Sequence, residues 1–179
     1  MVTTIIFGLL YPLSVTGLAQ LFFPAQANGS LIVKNGQSVS SKLLGQMFAS
    51  PGHFHPRPSG AGGGYDASQS GSPNLAPTNR ALIERVKADV DKLRAENNNA
   101  GIPVDLVTTS GSGLDPEISP AAAEFQVRRV ARARGMNDAE VRALVTKNTL
   151  KRQFGFFGEP RVRVLEPNLD LDTAHPMTR

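Results

Sequence analysis

The chain has 179 residues, a formal net charge of +4 and no cysteine. Without cysteine, the chain has neither disulfide bonds nor thiol chemistry. Its basic residues are spread along the sequence, and it has no Trp and only two Tyr. Nucleic-acid binding through stacked aromatic rings is therefore poorly supported, and no nucleic-acid partner is expected.

The first 23 residues carry no charged side chain. As a helix they would extend about 35 Å, enough to cross a hydrocarbon core of about 30 Å. We predict a transmembrane anchor over residues 1–24, kinked at Pro12, because membrane helices tolerate proline. A cleaved signal peptide is the main alternative, since Ala25-Gln26-Ala27 fits a cleavage site, although the apolar run exceeds the usual length. A buried core helix is the third possibility.

The next segment predicts a β-hairpin. Residues 31–34 and 37–40 are compatible with strands, and the intervening Asn35-Gly36 is a strong hairpin signal. Ser41 is then predicted to cap a short helix that runs to Phe48.

Residues 50–78 are dominated by Gly, Pro and Ser and show no regular period. A loop of this length in a compact domain is usually functional or disordered, so it is a place to look for a site. His53 and His55 could offer two imidazoles to a metal ion, but the only other histidine, His175, lies in the predicted tail. We therefore predict no metal site.

A helix capped by Thr78 or Asn79 is predicted next, followed by a strand. The helix has an apolar stripe at spacings of four, four and three, formed by Leu82, Val86, Val90 and Leu93. The asparagines and glycine of residues 97–101 end it. Residues 102–108 then predict a buried strand with Pro103 near its start.

Two further helices are predicted after a second glycine-rich turn at residues 110–116. Asp115 before Pro116 and Ser119 before Pro120 each fit a helix N-cap, and the helix runs from Pro120 to Arg134. Its arginines could contact lipid headgroups or form an ordinary solvated face; they are Arg128, Arg129, Arg132 and Arg134. Asn137 and Glu140 predict a capping box for the next helix, which ends near Thr149.

The C-terminal segment predicts a last strand. Val162 and Val164 alternate with arginines, and Leu169 and Leu171 continue the alternation. Pro167 in this run indicates an edge strand or a bulge. The tail beyond Asp172 is expected to fray. The fold class is α+β: one N-terminal transmembrane helix, followed over residues 25–179 by a single soluble α/β-type domain with a small sheet and about three main helices.

The glycine-rich turn before the helix could bind an anion through backbone N–H groups, but it lacks the lysine of a Walker A loop. A structural turn is the alternative. Ser112 as a nucleophile would need a base, which His53 or His55 could supply only through spatial approach. An exported, membrane-anchored serine hydrolase that uses Ser112 is thus an alternative function.

Several motifs together resemble the C subunit of the bacterial Kdp potassium-transporting P-type ATPase (KdpC). The resemblance covers nearly the whole chain. The matching runs include residues 10–13, 16–20 and 26–31, Phe54-His55 with Arg57-Pro58-Ser59, residues 105–108 and 110–116, Arg129-Val130-Ala131, and Asn168-Leu169 with Leu171-Asp172. The family usually has more residues before the span, so this N-terminus is expected to be short or truncated.

This resemblance implies a non-catalytic accessory subunit of the bacterial inner (plasma) membrane, with one span and an extracytoplasmic domain. It implies assembly with the channel-like A subunit and the ATP-hydrolysing B subunit, and an increase in the ATP affinity of the B subunit as a proposed catalytic chaperone. No tightly bound cofactor is expected, with ATP involved only as part of the complex.

No catalytic residue is assigned. The candidate contacts with partners or nucleotide are Arg57, Ser59, Asn74, Ser110, Gly111, Ser112, Gly113 and Asp115. The candidate helix–helix interface in the lipid bilayer, where small residues permit close approach and polar ones bond across, is Pro12, Thr16, Gly17 and Gln20.

Overall fold

The computed structural model of the chain describes residues 1–34, 36–97 and 100–177. The chain divides into two compact units, Met1–Leu43 and Leu44–Arg179. The first contains an apolar helix and a hairpin, and the second contains helices around a small sheet. The predicted α+β class is confirmed.

The first unit begins with a 21-residue helix, α1 (Val2–Phe22), which has a mean hydropathy of 1.7 and no buried residues in its most apolar window. Its length and composition suit a membrane span. Its middle, Ile6–Leu10, is wound as a π-helix directly before Pro12. Because proline has no N–H and its ring crowds the carbonyl four residues earlier, a local change of winding is expected at this point. The kink itself stays a prediction.

After the short helix α2 (Pro24–Ala27), the predicted hairpin is confirmed as β1 (Leu31–Lys34) and β2 (Gln37–Ser41), paired antiparallel. Gly36 has a φ of 77°, which glycine adopts without strain. Asn35, the other residue of the predicted turn, lies outside the described residues.

The predicted helix from Ser41 to Phe48 is wrong. Ser41 is the last residue of β2 and pairs with Leu31. Within the second unit, the Gly45 amide donates to the Leu114 carbonyl at 2.7 Å. These backbone bonds hold the start and the middle of the segment in non-helical conformations.

The second unit is built around α4 (Pro120–Arg134), whose residues Val127, Val130 and Ala131 are buried. Ser119 caps this helix, and Gly135 ends it with a φ of 64°. The helix α3 (Arg80–Glu96) begins at the predicted cap, Asn79. The capping box of Asn137 and Glu140 is also confirmed, at the start of α5 (Asp138–Lys147).

A three-stranded antiparallel sheet lies in the second unit, with strand order β3-β5-β4. Its strands are β3 (Glu117–Ile118), β4 (Thr149–Leu150) and β5 (Arg161–Arg163). The predicted helix start at Asp115 is wrong, because Glu117 and Ile118 pair with β5. The core joins this sheet to the helices through Phe54, Ile118, Val130, Val141, Val162 and Leu171.

The predicted last strand is confirmed as β5 over Arg161–Arg163, but its continuation through Leu169 and Leu171 is wrong. The predicted strand at residues 102–108 is also wrong. These residues contain a single 3₁₀ turn, Val104–Leu106, after which the Thr108 hydroxyl donates to the Val104 carbonyl at 2.8 Å. Residues 165–174 form the helix α6 (Leu165–Ala174). Pro167 lies in its first turn, where the missing N–H has no intrahelical partner to lose, so it marks neither an edge strand nor a bulge.

The expected fraying beyond Asp172 is not seen over residues 173–177. The helix continues to Ala174, and the His175 carbonyl accepts a hydrogen bond from Arg134 at 2.7 Å.

Candidate functional site

Most of the residues predicted to contact a partner lie together in the second unit. Residues 57–66, 70–73 and 108–115 bond to one another across the two glycine-rich loops. We call these three segments the glycine-loop cluster.

Arg57 links the two loops of this cluster. One Nη donates to the Asp115 carboxylate at 3.1 Å, and the other donates to the Thr109 carbonyl at 3.1 Å. The Arg57 side chain is 24% exposed and the Asp115 side chain is 31% exposed. Solvent therefore screens this ion pair only in part. The guanidinium is thus held by groups of the domain itself.

Ser59 fixes the turn that follows Arg57. Its hydroxyl donates to the Gly113 carbonyl at 2.6 Å and accepts from the Tyr65 amide at 2.8 Å. The Tyr65 hydroxyl donates to the Arg57 carbonyl at 2.6 Å, and burial raises the pKa of Tyr65 to about 12. The phenol is therefore a neutral hydrogen-bond donor at physiological pH.

Gly113 is required by the close approach of the two loops. Its φ is 68°, and a Cβ added there would lie 2.6 Å from the Gly71 carbonyl oxygen and 2.7 Å from the Ala61 amide nitrogen. Both neighbours are backbone atoms, which cannot move aside cheaply. By contrast, a Cβ added at Gly111 would meet nothing within 4 Å.

Ser112 serves the turn in which it lies. Its hydroxyl accepts from the Leu114 amide at 3.1 Å and lies 3.4 Å from the Ser110 hydroxyl, while its carbonyl accepts from the Gly71 amide at 2.8 Å. The two candidate bases are engaged elsewhere: His53 bonds to Asp172 at 2.8 Å, and His55 to the Ser50 carbonyl at 3.0 Å. The serine hydrolase has no support from this geometry.

Asn74 lies apart from the hydrogen bonds of the cluster. It adopts a left-handed conformation with a φ of 51° and lines a pocket of about 260 Å³ together with Leu82 and Arg85 of α3. Its neighbour Pro73 packs on Gly60, where an added Cβ would lie 2.4 Å from the proline ring. Asn74 is therefore a residue of the cluster's edge.

A cleft of about 510 Å³ opens beside the ion pair of Arg57 and Asp115. Its other charged walls are also bonded: Arg161 pairs with Glu117 at 2.7 Å, and Asp105 accepts from the Ser119 amide at 2.7 Å. These charged groups are held by bonds within the domain, whereas Glu159, which also lines the cleft, is largely exposed.

The loop at residues 51–55 is held by two buried amide side chains, Gln126 and Asn168, which were not among the predicted site residues. Asn168 accepts from the Phe54 amide at 2.8 Å and donates to the Phe54 carbonyl at 2.9 Å. Gln126 does the same for His55, at 2.7 and 3.1 Å. Each amide thus imitates a neighbouring strand. The sequence feature that could have identified these two residues is an amide side chain at a helix position that faces the core.

The arginines of α4 are divided between inside and outside. Arg134 has a fully buried side chain and donates to the Gly52 carbonyl at 2.6 Å and to Asp172 at 2.7 Å. Arg129 donates to the Pro51 carbonyl at 2.6 Å and pairs with Glu96. These two side chains are not available as the lipid-binding face that the sequence allowed.

The histidines do not form a metal site with the acidic residues around them. Among residues 1–34, 36–97 and 100–177, no group of three or more His, Asp or Glu side chains is placed to hold a metal ion. Burial, and next the charge of Arg129, lower the pKa of His55.

The predicted interface residues of α1 fall at helical spacing. Pro12, Thr16 and Gln20 are separated by four residues each and so share one face. A Cβ added at Gly17 would meet nothing within 4 Å. Gln20 exchanges side-chain hydrogen bonds with Asn28.

Residues 1–173 match the family model described as KdpC, the c chain of the K⁺-transporting ATPase. The chain belongs to this family. Its curated relatives named potassium-transporting ATPase KdpC subunit include those of Koribacter versatilis, which is 58% identical over 98% of this chain and 91% of its own length, and of Acidobacterium capsulatum, which is 57% identical over 97% and 94%. The relative from Caulobacter sp. strain K31 is 56% identical over 97% and 89%.

Membership of the KdpC family confirms the resemblance on which the sequence analysis relied. The chain is a subunit of a potassium-transporting ATPase complex, so it has partner subunits. Its N-terminal helix indicates a membrane-anchored protein. The serine hydrolase is not supported by these relatives either.

Proposed function

We propose that this chain is an accessory, non-catalytic subunit that holds the potassium pump together by contacting its channel-like A subunit and its ATP-hydrolysing B subunit. In this proposal α1 crosses the plasma membrane of a bacterium once, and residues 25–179 lie on the extracytoplasmic side. Family membership and the apolar helix support it.

The observation that carries the proposal is that the polar side chains of the glycine-loop cluster bond within the domain. Arg57, Ser59 and Ser112 bond to groups of the same domain rather than pointing together at an open position. A catalytic centre needs a nucleophile, a base and a stabilising donor that converge on one point. A cross-linked loop pair suits a rigid scaffold that presents surfaces to partners.

Co-purification tests the proposal. A tagged A subunit would be solubilised from membranes that contain or lack this chain. We expect an A–B complex with potassium-stimulated ATPase activity only when the chain is present. An intact and active A–B complex without it would refute the proposal.

We further propose that the chain holds no nucleotide tightly and influences ATP only within the complex, by raising the ATP affinity of the B subunit. The engaged donors of the glycine-loop cluster support this. The test is the dissociation constant of ATP from the purified B subunit, measured by direct binding with and without added full chain. A fall is expected, and an unchanged value together with tight ATP binding by the isolated chain would contradict it.

The orientation has its own test, because the chain has no cysteine. Lys87 is exposed on α3, so Lys87→Cys gives a single thiol on the domain surface. A membrane-impermeant maleimide should label it when only the extracytoplasmic side is accessible. Labelling that requires opening of the cytoplasmic side would reverse the proposed orientation.

A further inference from the structure

The loop between β4 and β5 exposes three phenylalanine rings. Phe154, Phe156 and Phe157 are 87, 64 and 57% exposed. The tip is defined here as residues 153–157 and is called the phenylalanine tip. Single exposed apolar residues are normal on protein surfaces, but three adjacent aromatic rings form a patch of the kind that marks an interaction site.

Most backbone amides of the phenylalanine tip are already hydrogen-bonded to nearby carbonyls. Gln153 and Phe157 exchange two backbone bonds of 2.9 Å, Phe156 donates to the Gln153 carbonyl at 3.2 Å, and Gly155 donates to Arg152 at 3.3 Å. Backbone groups that are paired in this way can leave water without losing a partner. These four amides therefore do not oppose burial of the neighbouring rings in an apolar environment.

The rings are also held in a defined arrangement. The Phe157 ring lies 4.2 Å from that of Phe156 and meets that of Phe154 edge-on at 6.5 Å between centroids. Phe154 has a φ of 52°, a conformation that costs an aromatic residue energy in an exposed loop. A preordered aromatic anchor loses little conformational entropy on binding.

The charges beside the tip favour a protein pocket over a lipid surface. Arg152 pairs with Glu159 at 2.6 Å, and the Glu159 carboxylate is largely exposed. With Lys151, the loop residues 151–160 carry a net charge of +1. One positive charge attracts anionic lipid only weakly. The tip also contains neither Trp nor Tyr, the residues enriched at membrane interfaces.

We propose that the phenylalanine tip inserts into an apolar pocket, with a neutral or acidic rim, on the extracytoplasmic face of a partner subunit of the pump. This rests on the proposed function, which supplies the partner and the side of the membrane. Buried aromatic anchors of this kind dominate binding energy at protein interfaces.

Alkylation of a single introduced thiol tests where the tip lies. Phe154→Cys places it at the tip, and Ile83→Cys places a control thiol on the exposed face of α3. Each full-length variant is treated with a fluorescent maleimide, once alone in vesicles of anionic and zwitterionic lipid and once in the purified complex, and label is read on this chain's own band.

We expect the tip thiol to react freely in vesicles and about tenfold or more slowly in the complex, with the control thiol reactive in both. Protection of the tip thiol when the chain is in vesicles without its partners would assign the tip to lipid and overturn the proposal. Free labelling within an intact complex would overturn it as well.

A paired truncation tests the contribution of the rings. Phe154→Ser with Phe156→Ser should weaken complex formation about thirtyfold, equivalent to about 2 kcal/mol. The matched control, Ile83→Ser with Val104→Ser, removes two apolar side chains that are 54 and 70% exposed and should have no such effect. Equal loss with both variants would contradict the proposal. Failure of the unsubstituted chain to co-purify would instead refute the proposed function.

Discussion

The glycine-loop cluster and the phenylalanine tip are both irregular and both contain glycine, yet they use their side chains in opposite ways. In the cluster, Arg57 and Ser59 bond to neighbouring loops of the same domain. In the tip, most backbone amides are paired locally and the rings of Phe154 and Phe156 are exposed to solvent. Glycine content marks a loop, whereas the direction of its side chains decides whether the loop supports the fold or is available to a partner.

The largest expected effect tests the close approach within the glycine-loop cluster. Gly113→Ala places a Cβ 2.6 Å from a backbone oxygen, at a φ of 68°. We expect the free energy of unfolding to fall by about 3 kcal/mol. The control Gly111→Ala should change it by less than about 0.5 kcal/mol. Denaturant titration of the full chain in detergent measures both, and equal effects would contradict the close approach.

The ion pair of the same cluster gives the next largest effect. Arg57→Met removes the partner of Asp115 and the donor to the Thr109 carbonyl. We expect a loss of about 1–2 kcal/mol in the free energy of unfolding. Arg80→Met is the control, because that side chain is 91% exposed and its pair with Glu84 is solvated. An equal loss of unfolding free energy in both variants would mean that the ion pair of the cluster contributes no more than a solvated surface pair.

The tip should behave in the opposite way. Phe154→Ser removes a ring that is 87% exposed, so the free energy of unfolding should change by less than about 0.5 kcal/mol. Thermal unfolding followed by circular dichroism measures this. A substantial loss of stability would mean that the tip, like the cluster, supports the fold.

The smallest effect concerns pH. Because burial, and next Arg129, lower the pKa of His55, the unfolded chain binds a proton there more readily than the folded chain. The stability contributed by the neutral ring is present above about pH 6.5 and is lost as the pH falls below it. The pKa values of Asp170 and Asp172 are also lowered, by bonds to Lys147 and Arg134, but these carboxyl groups act only at more acidic pH.

His55→Gln should therefore flatten the decline in stability between about pH 7 and pH 5. His175→Gln is the control, since that imidazole is exposed. Denaturant titrations at a series of pH values measure the slope. An unchanged slope in His55→Gln would show that this histidine does not contribute.

The sequence predicted those elements whose determinants are local. The stripe of α3, the cap at Ser119 and the capping box at Asn137 each depend on residues within one or two turns. The false strand at residues 102–108 and the false extension of the last strand lie in segments that are held by groups from other parts of the chain. Asp105 bonds to Ser119, and Asn168 bonds to Phe54, more than a hundred residues away in sequence. Alternating apolar residues in such short segments cannot reveal these partners.

The sequence identified the residues of the candidate site, but it did not predict which of them bond to one another. The glycine-rich loops and their residues were identified, and the structure brings Arg57 and Asp115 together across 58 positions. No spacing rule predicts that pairing. The run Phe154-Gly155-Phe156-Phe157 is visible in the sequence. Its apolar composition alone does not distinguish an exposed loop from a buried one.

Hydrogen–deuterium exchange of the full chain, alone and within the pump complex, tests the contrast between the two regions most directly. Assembly should slow exchange at residues 151–160. The amides of residues 57–66 and 110–115 should already exchange slowly in the isolated chain and change little. Slowing confined to the glycine-loop cluster, with no change at the phenylalanine tip, would contradict the account.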